Sequence, residues 1–467
     1  MTRRRTKIVC TLGPTSDDEA TLEKMMRAGM DVARLNFSHG DHETHRALFA
    51  RVRAVAERLD RPVAILQDLQ GPKIRVGDLL GGSLTLAKGS EVTLVYAAST
   101  DEPATIPCTY EPLARDVNEG DRILLDDGRL QLRVLETCDG RVEARVEHGG
   151  ELTNNKGINL PGVTLSTPAL TEKDKQDIEL GRTLGVDYVA LSFVRTPDDV
   201  EQTRALISPE AQLIAKIEKP EAVEHFEAIL ELSDGVMVAR GDLGVEMGPQ
   251  AVPLLQKAFI EAANARCKLV ITATEMLESM RTSPRPTRAE VSDVANAVLD
   301  GTDALMLSGE TAHGEHPVES VQMMDHIARS TEASARFSSL TGPTSLNLRE
   351  TSNAIAKAAV VATRELGAAA IVCYTESGAT ALMISEYRPE VPLLAASHDP
   401  HVYRMLAAHW GVTPLLLKEV PNTAEEAVRS IRQAAVDRGY VRAGQSVVIA
   451  SGTQIDGPND MVIIETI

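Results

Sequence analysis

The chain has 467 residues, 43% hydrophobic and 25% charged, with a formal net charge of −19 and a pI near 5.1. This length and composition are typical of a globular protein with two or three domains. The acidic balance argues against a general nucleic-acid binder but allows a local basic pocket for a phosphorylated metabolite.

No targeting or membrane segment is indicated. The opening TRRRTKIVCTLG is basic but lacks the apolar stretch of a signal peptide, and no later run has the length of a membrane span. The cysteines are far apart and form no C-x-x-C, so neither a disulfide framework nor a zinc site is expected: Cys10, Cys108, Cys138, Cys267 and Cys373. We expect a cytoplasmic protein without nucleic-acid or membrane partners.

Apolar, β-branched runs alternate with amphipathic helical segments, the pattern of a parallel α/β fold. Eight such runs are predicted as strands, at 7–10, 31–36, 64–69, 188–193, 213–218, 235–240, 269–274 and 304–308. Ser16 with Glu19, and Thr171 with Asp174, resemble capping boxes that begin two of the helices. Eight strand–helix units predict a (β/α)8 TIM barrel.

The alternation fails once, between about residues 72 and 157, where short alternating strands separated by Gly and Asp turns predict an inserted β domain. After the polar stretch TGPTSLNLRE, α/β alternation resumes and predicts a C-terminal α/β domain. The expected limits are 1–71 with 158–340 for the barrel, 72–157 for the insert and 341–467 for the last domain.

Charged residues lie at the ends of two adjacent barrel strands, Lys216 and Glu218 on the fifth and Asp242 after the sixth. Buried charge is costly unless it is paired or binds an ion, and barrel enzymes hold their active sites at the C-terminal ends of the strands. Two carboxylates suit Mg²⁺ and the lysine suits a phosphate, so a catalytic site is predicted. The alternative is an ion pair that only ties the two strands together.

Other polar residues follow the remaining strands and should meet at the same mouth: Arg34, Asn36, Ser38, Asp68, Thr274, Ser308 and Glu310. Common phosphate-binding motifs, such as the Walker A loop and G-x-G-x-x-G, are absent. His39, His42 and His45 lack the spacing of H-E-x-x-H, so a helix start is favoured over a metal site.

Six blocks in order give the chain a close resemblance to pyruvate kinase: NFSHG at 36–40, DLQGPKIR at 68–75, KIE at 216–218, ARGDLGVE at 239–246, TEMLESM at 274–280 and PRPTRAEVSDVANAVLDGTDALMLSGETAHG at 284–314. The resemblance implies a catalytic barrel, a β-barrel-like lid after the third strand and a C-terminal α/β domain, in a homotetramer under allosteric control. It also implies phosphoryl transfer from phosphoenolpyruvate to ADP, giving ATP and pyruvate, the last ATP-forming step of glycolysis.

The resemblance further implies individual roles. Arg34 corresponds to a phosphate-binding arginine, Lys216 to a transition-state-stabilising lysine, and Glu218 with Asp242 to the Mg²⁺ ligands, with Mn²⁺ as a substitute metal. The substrate carboxylate would bind Thr274 and the N–H groups of Gly241 and Asp242. The remaining implied positions are Asn36, His39 and Arg75 around the nucleotide, and Thr274 with Ser308 on a proton path to the enolate.

Three departures from the family pattern involve four positions. Leu69 and Lys73 replace a Thr and a Glu of potassium-dependent members. We therefore expect that K⁺ is not required: Asn36, Ser38 and Asp68 keep the shape of the cation site, while the Lys73 ammonium occupies or neutralises it. Glu275 stands where relatives usually have Gln, with an effect that the sequence does not explain, and Thr196 replaces a basic nucleotide-contacting residue.

The loop YTESGAT resembles the family's effector loop for a sugar phosphate, a nucleotide being an alternative effector, through Thr375, Ser377, Gly378 and Thr380. An ordinary strand-to-helix turn is the competing interpretation.

Two rival functions remain for the whole chain. One is a barrel enzyme that uses a magnesium enolate in carbon–carbon chemistry, which would not need the insert. The other is a catalytically inactive relative, which the intact charged residues disfavour.

Overall fold

The computed structural model describes residues 4–338, 351–452 and 460–467. The chain begins with β1 (Lys7–Thr11), α1 (Glu19–Ala28), β2 (Val32–Asn36), α2 (His42–Arg58) and β3 (Ala64–Asp68). The predicted capping box at Ser16 is wrong, because Asp18 caps α1 by accepting the N–H of Thr21. The Ser16 hydroxyl instead accepts the N–H of Gly13 at 3.1 Å, in the preceding turn.

The inserted segment has its own core and two sheets, and it extends past the predicted limit at 157, because Ile158 and Asn159 form a strand of its larger sheet. Its elements are β4 (Ser83–Leu86), β5 (Glu91–Tyr96), β6 (Thr105–Cys108), α3 (Leu113–Asp116), β7 (Arg122–Leu125), β8 (Leu130–Cys138), β9 (Arg141–His148), β10 (Gly150–Thr153) and β11 (Ile158–Asn159). Six strands pair in the order β11-β7-β8-β9-β5-β6, and β10 pairs with β4. Alternate residues of β8 are buried, Leu130, Leu132 and Val134, because a strand presents every second side chain to one face.

The chain then returns to the barrel. The elements are α4 (Glu172–Leu184), β12 (Tyr188–Leu191), α5 (Pro197–Arg204), β13 (Gln212–Ile217), α6 (Pro220–Glu224), α7 (Phe226–Leu232), β14 (Gly235–Ala239), α8 (Arg240–Met247), α9 (Val252–Asn264), β15 (Leu269–Ala273), α10 (Arg288–Asp300), β16 (Ala304–Leu307), α11 (Gly309–Ala312), α12 (Pro317–Glu332) and α13 (Ala335–Ser338). The capping box of Thr171 and Asp174 at the start of α4 is confirmed.

The eight predicted strands close into a parallel barrel in the order β1-β16-β15-β14-β13-β12-β3-β2, so the (β/α)8 prediction is confirmed. β13 and β14 are neighbours, with Lys216 opposite Met237. This pairing brings the C-terminal ends of the two strands together, where Glu218 and Asp242 follow.

The C-terminal α/β domain comprises α14 (Thr351–Leu366), β17 (Ala370–Tyr374), α15 (Ala379–Glu386), β18 (Leu393–Ser397), α16 (Pro400–Met405), β19 (Val412–Leu416), α17 (Ala424–Asp437), β20 (Ser446–Ser451) and β21 (Met461–Thr466). Its sheet has the order β19-β18-β17-β20-β21, and only β21 runs antiparallel. The whole of TGPTSLNLRE, residues 341–350, and the predicted limit at 340 and 341 lie outside the described residues.

The C-terminal domain packs against the N-terminal face of the barrel. The Lys7 ammonium donates to the Val412 carbonyl at 2.7 Å, and the Tyr188 hydroxyl donates to the Met405 carbonyl at 2.8 Å. This domain therefore covers the face opposite the C-terminal ends of the strands and leaves the predicted active-site face to the insert.

Lys7 gives this interface a specific pH dependence. Burial lowers the pKa of its ammonium from 10.5 to about 8, although the Asp31 carboxylate opposes the shift. Between these values the unfolded chain binds the proton and the folded chain does not, so stability should rise with pH. Relative to Lys7→Met, the wild type should gain up to about 3 kcal/mol in the free energy of unfolding between about pH 8 and 10.5. Urea unfolding of wild type and Lys7→Met across this pH range measures the gain. A difference in the free energy of unfolding that stays constant with pH would contradict the prediction.

Candidate active site

A charged network built around Lys216 lies at the mouth of the barrel. The Lys216 ammonium lies 2.9 Å from Glu218 Oε1 and 3.3 Å from Asp68 Oδ1, and it donates to Ser192 Oγ at 2.7 Å. Ile217 faces the opposite way into the hydrophobic core, as the two-residue period of a strand requires. The predicted placement of Lys216 and Glu218 on one face is therefore confirmed.

Burial and ion pairing shift the pKa values of Lys216 and Asp68 in opposite directions. Burial alone would lower the pKa of Lys216, but the Asp68 and Glu218 carboxylates outweigh it and raise the pKa above the usual lysine value. Burial would likewise raise the pKa of Asp68, yet Lys216 and Arg34 hold it below its usual value. Lys216 is thus a permanent ammonium and Asp68 a permanent carboxylate at neutral pH.

Arg34 belongs to the same network. Its Nε donates to Asp68 Oδ2 at 2.6 Å, and its Nη1 donates to Thr11 Oγ1 at 2.8 Å. Two residues that hold the charged groups in place, Thr11 and Ser192, were missed from the sequence. Thr11 ends β1 and Ser192 follows β12, the positions at which Arg34 and Lys216 were found, but a lone hydroxyl at a strand end is too common to identify them from the sequence.

Thr274 lies in a strained turn next to the start of α8. Thr274 and Glu275 both have left-handed backbones, with φ of 68° and 54°. Arg240 holds this turn by donating from Nη2 to the Thr274 carbonyl at 2.7 Å. The Gly241 N–H donates to Thr274 Oγ1 at 2.8 Å, so a substrate carboxylate would have to take over this donor. Strain held by surrounding contacts is typical of functional sites.

Glu218 and Asp242 fit a divalent cation that takes few protein ligands. Burial raises the pKa of Glu218, an effect that Lys216 opposes and the Asp242 carboxylate reinforces. A cation between the two carboxylates would relieve this repulsion. Within the described ranges no three His, Cys, Asp or Glu residues cluster as a metal site. Mg²⁺ is commonly bound through one or two carboxylates and keeps its other positions for water and substrate oxygens.

A cleft of about 980 Å³ separates the insert from the barrel at this mouth. Its barrel wall includes Gly241, Asp242 and Thr274, and its insert wall includes Arg122 and Asp127. Lys73 and Glu275 also line it, and both side chains are exposed. The volume is sufficient for a nucleotide beside a small substrate.

Ser308 lies at the end of β16 with a buried hydroxyl that has no hydrogen-bond partner in the part of the chain that the structure describes. Its backbone N–H donates to Glu310 Oε2 at 2.7 Å, while Glu310 Oε1 accepts the N–H of Leu277 at 3.0 Å. Burial raises the pKa of Glu310. The Ser308 hydroxyl is therefore available to a bound ligand, and Glu310 fixes the backbone that carries it.

The predicted nucleotide residues form a basic group beside the lid. Burial lowers the pKa of His39, and the nearby charges of Arg75, His313 and Lys73 lower it further. Arg75 Nη1 donates to the Asn155 carbonyl of the insert at 3.0 Å. His39, Arg75 and Lys73 thus lie near one another, and nucleotide binding by Asn36, His39 and Arg75 stays a prediction.

The proposed monovalent-cation position is partly occupied by protein contacts. Asn36 Oδ1 accepts the Ser38 N–H at 3.1 Å, and Leu69 is buried. Among the described residues, the cations within 4.0 Å of Asp68 are Arg34 and Lys216, whereas Lys73 lines the cleft. Substitution of K⁺ by Lys73 stays a prediction.

The remaining sequence features have local explanations. His42 begins α2, as the predicted helix start requires, and its Nε2 lies 2.7 Å from Asp177 Oδ1. The His45 ring stacks on the Phe37 ring, with 3.9 Å between the ring centroids.

In the C-terminal loop, Thr375 Oγ1 accepts the Gly378 N–H at 2.8 Å and Gly378 has φ of 90°. This is an ordinary turn before α15, and its use as an effector site by Thr375, Ser377, Gly378 and Thr380 stays a prediction.

Comparison with known proteins identifies the family. The family model "Pyruvate kinase, barrel domain" matches residues 3–321, and "Pyruvate kinase, alpha/beta domain" matches residues 353–465. The chain belongs to the pyruvate kinase family. Curated pyruvate kinases are similar over almost the whole chain: that of Staphylococcus saprophyticus is 46% identical, covering 96% of this chain and 78% of the relative.

Two further pyruvate kinases have the same level of similarity. Pyruvate kinase 2 of Synechocystis is 46% identical, and the matched region covers 99% of this chain and 79% of the relative. The pyruvate kinase of Geobacillus stearothermophilus is 45% identical, with 97% of this chain and 78% of the relative covered. Among the described residues, the pyruvate kinase fold contains no helix that is both long and apolar enough to cross a bilayer.

Proposed function

We propose that this chain transfers the phosphoryl group of phosphoenolpyruvate to ADP, giving ATP and pyruvate. The observation that carries this proposal is the Lys216 network, in which a buried ammonium, a guanidinium and two carboxylates meet at the mouth of the barrel beside a large cleft. Phosphoryl transfer depends on positioning and charge neutralisation, which such a network supplies.

Lys216 and Arg34 would bind the transferred group. The bond between phosphorus and the enol oxygen breaks while a β-phosphate oxygen of ADP forms a new bond to the same phosphorus. Negative charge on the phosphoryl oxygens then lies beside the Lys216 ammonium, whose pKa is raised, and the Arg34 guanidinium. Because Asp68 fixes both cations, neither has to reorganise during the reaction.

The substrate carboxylate would bind at the start of α8. The Gly241 and Asp242 N–H groups belong to the first turn of this helix, where donors lack intrahelical partners and the helix dipole favours an anion. Thr274 Oγ1 lies 2.8 Å from the Gly241 nitrogen and would add a hydroxyl donor. The enolate left by transfer is then protonated at carbon, with Thr274 and Ser308 as candidate members of the proton path.

Glu218 and Asp242 would hold Mg²⁺, or Mn²⁺ in its place. The metal supplies Lewis-acid stabilisation of the phosphate oxygens when bound. The Phe193 N–H orients the Glu218 carboxylate by donating to Glu218 Oε2 at 2.8 Å. Asp242 lines the cleft in which the metal would bind. The nucleotide would lie between this site and Asn36, His39 and Arg75, under the insert.

An assay of pyruvate formation from phosphoenolpyruvate tests the function. We expect pyruvate only when ADP and Mg²⁺ are both present, with ATP formed in equal amount. ADP-independent release of pyruvate would favour enolate chemistry of another kind, and no turnover by folded protein would favour an inactive relative.

The Lys73 substitution predicts activity without K⁺. A Lys73→Glu variant should lose about tenfold in kcat/KM in K⁺-free buffer, because it removes a cation from the site, and should recover when K⁺ is added. Lys88→Glu, an exposed change of the same charge in the insert, is the matched control. Strict K⁺ dependence of the wild type would contradict the prediction.

Assembly and regulation are proposed on the family resemblance. A homotetramer is the expected oligomer, a sugar phosphate or nucleotide the expected effector at residues 375–380, and the cytoplasm the expected location. Sedimentation of the purified protein, and activity measured with and without sugar phosphates, test the first two.

A further inference from the structure

Lys219 and Glu246 form a buried ion pair beside the two candidate metal ligands. Lys219 Nζ lies 2.6 Å from Glu246 Oε1, and each residue is only 6% exposed. Lys219 directly follows Glu218 after β13, and Glu246 lies one helical turn beyond Asp242 in α8. The pair therefore joins the two separate segments that carry the metal-binding carboxylates.

The same carboxylate also contacts the insert. Asn159 Nδ2, in β11, donates to Glu246 Oε1 at 3.1 Å. β11 pairs with β7, where Ile158 lies opposite Leu125 and Asn159 opposite Leu124, and Leu124 lines the cleft. Glu246 Oε2 is buried and has no hydrogen-bond partner among the described residues, so the carboxylate has acceptor capacity that its current contacts do not use.

Lys219 has a second connection to Glu218 through Phe193. Its Nζ lies 5.7 Å from the centroid of the Phe193 ring, and the Phe193 N–H is the donor to Glu218 Oε2. Phe193 has a left-handed backbone, with φ of 56°, which requires support from its neighbours. A small cavity of about 20 Å³ is bounded by Lys219, Asn159, Phe193 and Asp242, so these groups face one another.

A buried ion pair is a weak source of stability, because removing two charges from water offsets most of their attraction. Its main physical effect is to restrain geometry, because each charged side chain fixes the position of the other. Replacing one partner leaves the other charge buried and unpaired. Residues that contact the metal ligands without touching the metal typically change the metal affinity when they are replaced.

Resting on the proposed function, we propose that Lys219 and Glu246 are positioning residues that hold Glu218 and Asp242 at the separation a divalent cation requires, and that the hydrogen bond from Asn159 to Glu246 holds the insert against the barrel where the nucleotide binds. Glu246 also lines the cleft, and the effect of the pair on the metal is exerted through the two segments that it joins.

Direct binding of Mn²⁺ to the nucleotide-free protein, measured by electron paramagnetic resonance, tests this proposal without turnover. Lys219→Met and Glu246→Gln should each weaken Mn²⁺ binding about tenfold or more. Asn159→Ala should leave Mn²⁺ binding unchanged but raise the KM for ADP about fivefold at constant kcat, because one hydrogen bond between insert and barrel is lost. Equal KM values for Asn159→Ala and wild type would overturn the coupling to the insert.

Two controls separate positioning from stability. Lys175→Met breaks an exposed ion pair of the same length, 2.6 Å to Glu172, and should bind Mn²⁺ like the wild type. The double variant Lys219→Met/Glu246→Leu replaces both buried charges by apolar groups, so it should recover thermal stability but not Mn²⁺ affinity. Recovery of both would overturn the positioning role.

Glu218→Gln distinguishes failure of this inference from failure of the proposed function. If Glu218→Gln loses Mn²⁺ binding while folded Lys219→Met and Glu246→Gln bind within about twofold of wild type, the positioning role is overturned and the metal site remains. If Glu218→Gln itself binds Mn²⁺ normally, the assigned metal site is wrong. Glu246→Gln preserves side-chain shape, so it remains informative if Lys219→Met does not fold.

Discussion

Replacing Lys216 by Met should lower kcat by about a thousandfold or more while changing the KM for phosphoenolpyruvate far less. The ammonium is fixed by Asp68, Ser192 and Glu218 before any substrate binds. Its charge is therefore aimed at the phosphoryl oxygens without further reorganisation, which mainly stabilises the transition state. Steady-state kinetics with saturating ADP and Mg²⁺ give both parameters.

The chemistry of Lys216 can be separated from its structural role. Lys216→Arg keeps a positive charge and should retain more kcat than Lys216→Met, although its planar guanidinium cannot reproduce the same contacts. Lys175→Met, on the surface of α4, should behave as the wild type. Because the Asp68 and Glu218 carboxylates raise the pKa of Lys216, its ionisation should not appear in the wild-type pH profile between pH 6 and about pH 9. Full activity of folded Lys216→Met would contradict the assigned role.

The barrel and the central charges were predictable because both depend on local periodicity. Buried parallel strands are continuous apolar runs, so all eight were found, and the two-residue period placed Lys216 and Glu218 on one face. Thr11 and Ser192 were missed for a physical reason. A single hydroxyl at a strand end is common, and only the fold shows that these two contact Arg34 and Lys216.

Contacts between distant segments were not accessible from the sequence. Lys219 and Glu246 are 27 positions apart, yet they form a buried pair. The packing of the C-terminal domain on the barrel was likewise hidden, because its contacts join distant residues, as when Arg388 reaches Asp303, 85 positions away. Such pairs have no periodic signature.

Arg388→Met should destabilise the protein by about 3–5 kcal/mol, the cost of leaving buried carboxylates without their cation. Arg388 Nη1 donates to Asp303 Oδ1 and Nη2 to the Gly301 carbonyl, both at 2.8 Å, and Glu386 lies 3.4 Å away. The three charged side chains are at most 7% exposed. Urea unfolding at pH 8 measures the loss, with Arg129→Met, whose side chain is 79% exposed, as the matched control.

The loss at Arg388→Met should also depend on pH in a defined direction. Burial raises the pKa of Asp303 and of Glu386, and Arg388 opposes both shifts. Without Arg388 the two pKa values rise further, so the folded variant binds protons that the unfolded chain releases above about pH 4. Stability therefore falls as pH rises in both proteins, but the variant keeps these protons to higher pH and loses more, so its deficit relative to wild type should be smaller at pH 5 than at pH 8. An equal deficit at both values would show that lost packing against Trp410, whose ring lies 4.9 Å from the guanidinium, outweighs the unpaired charges.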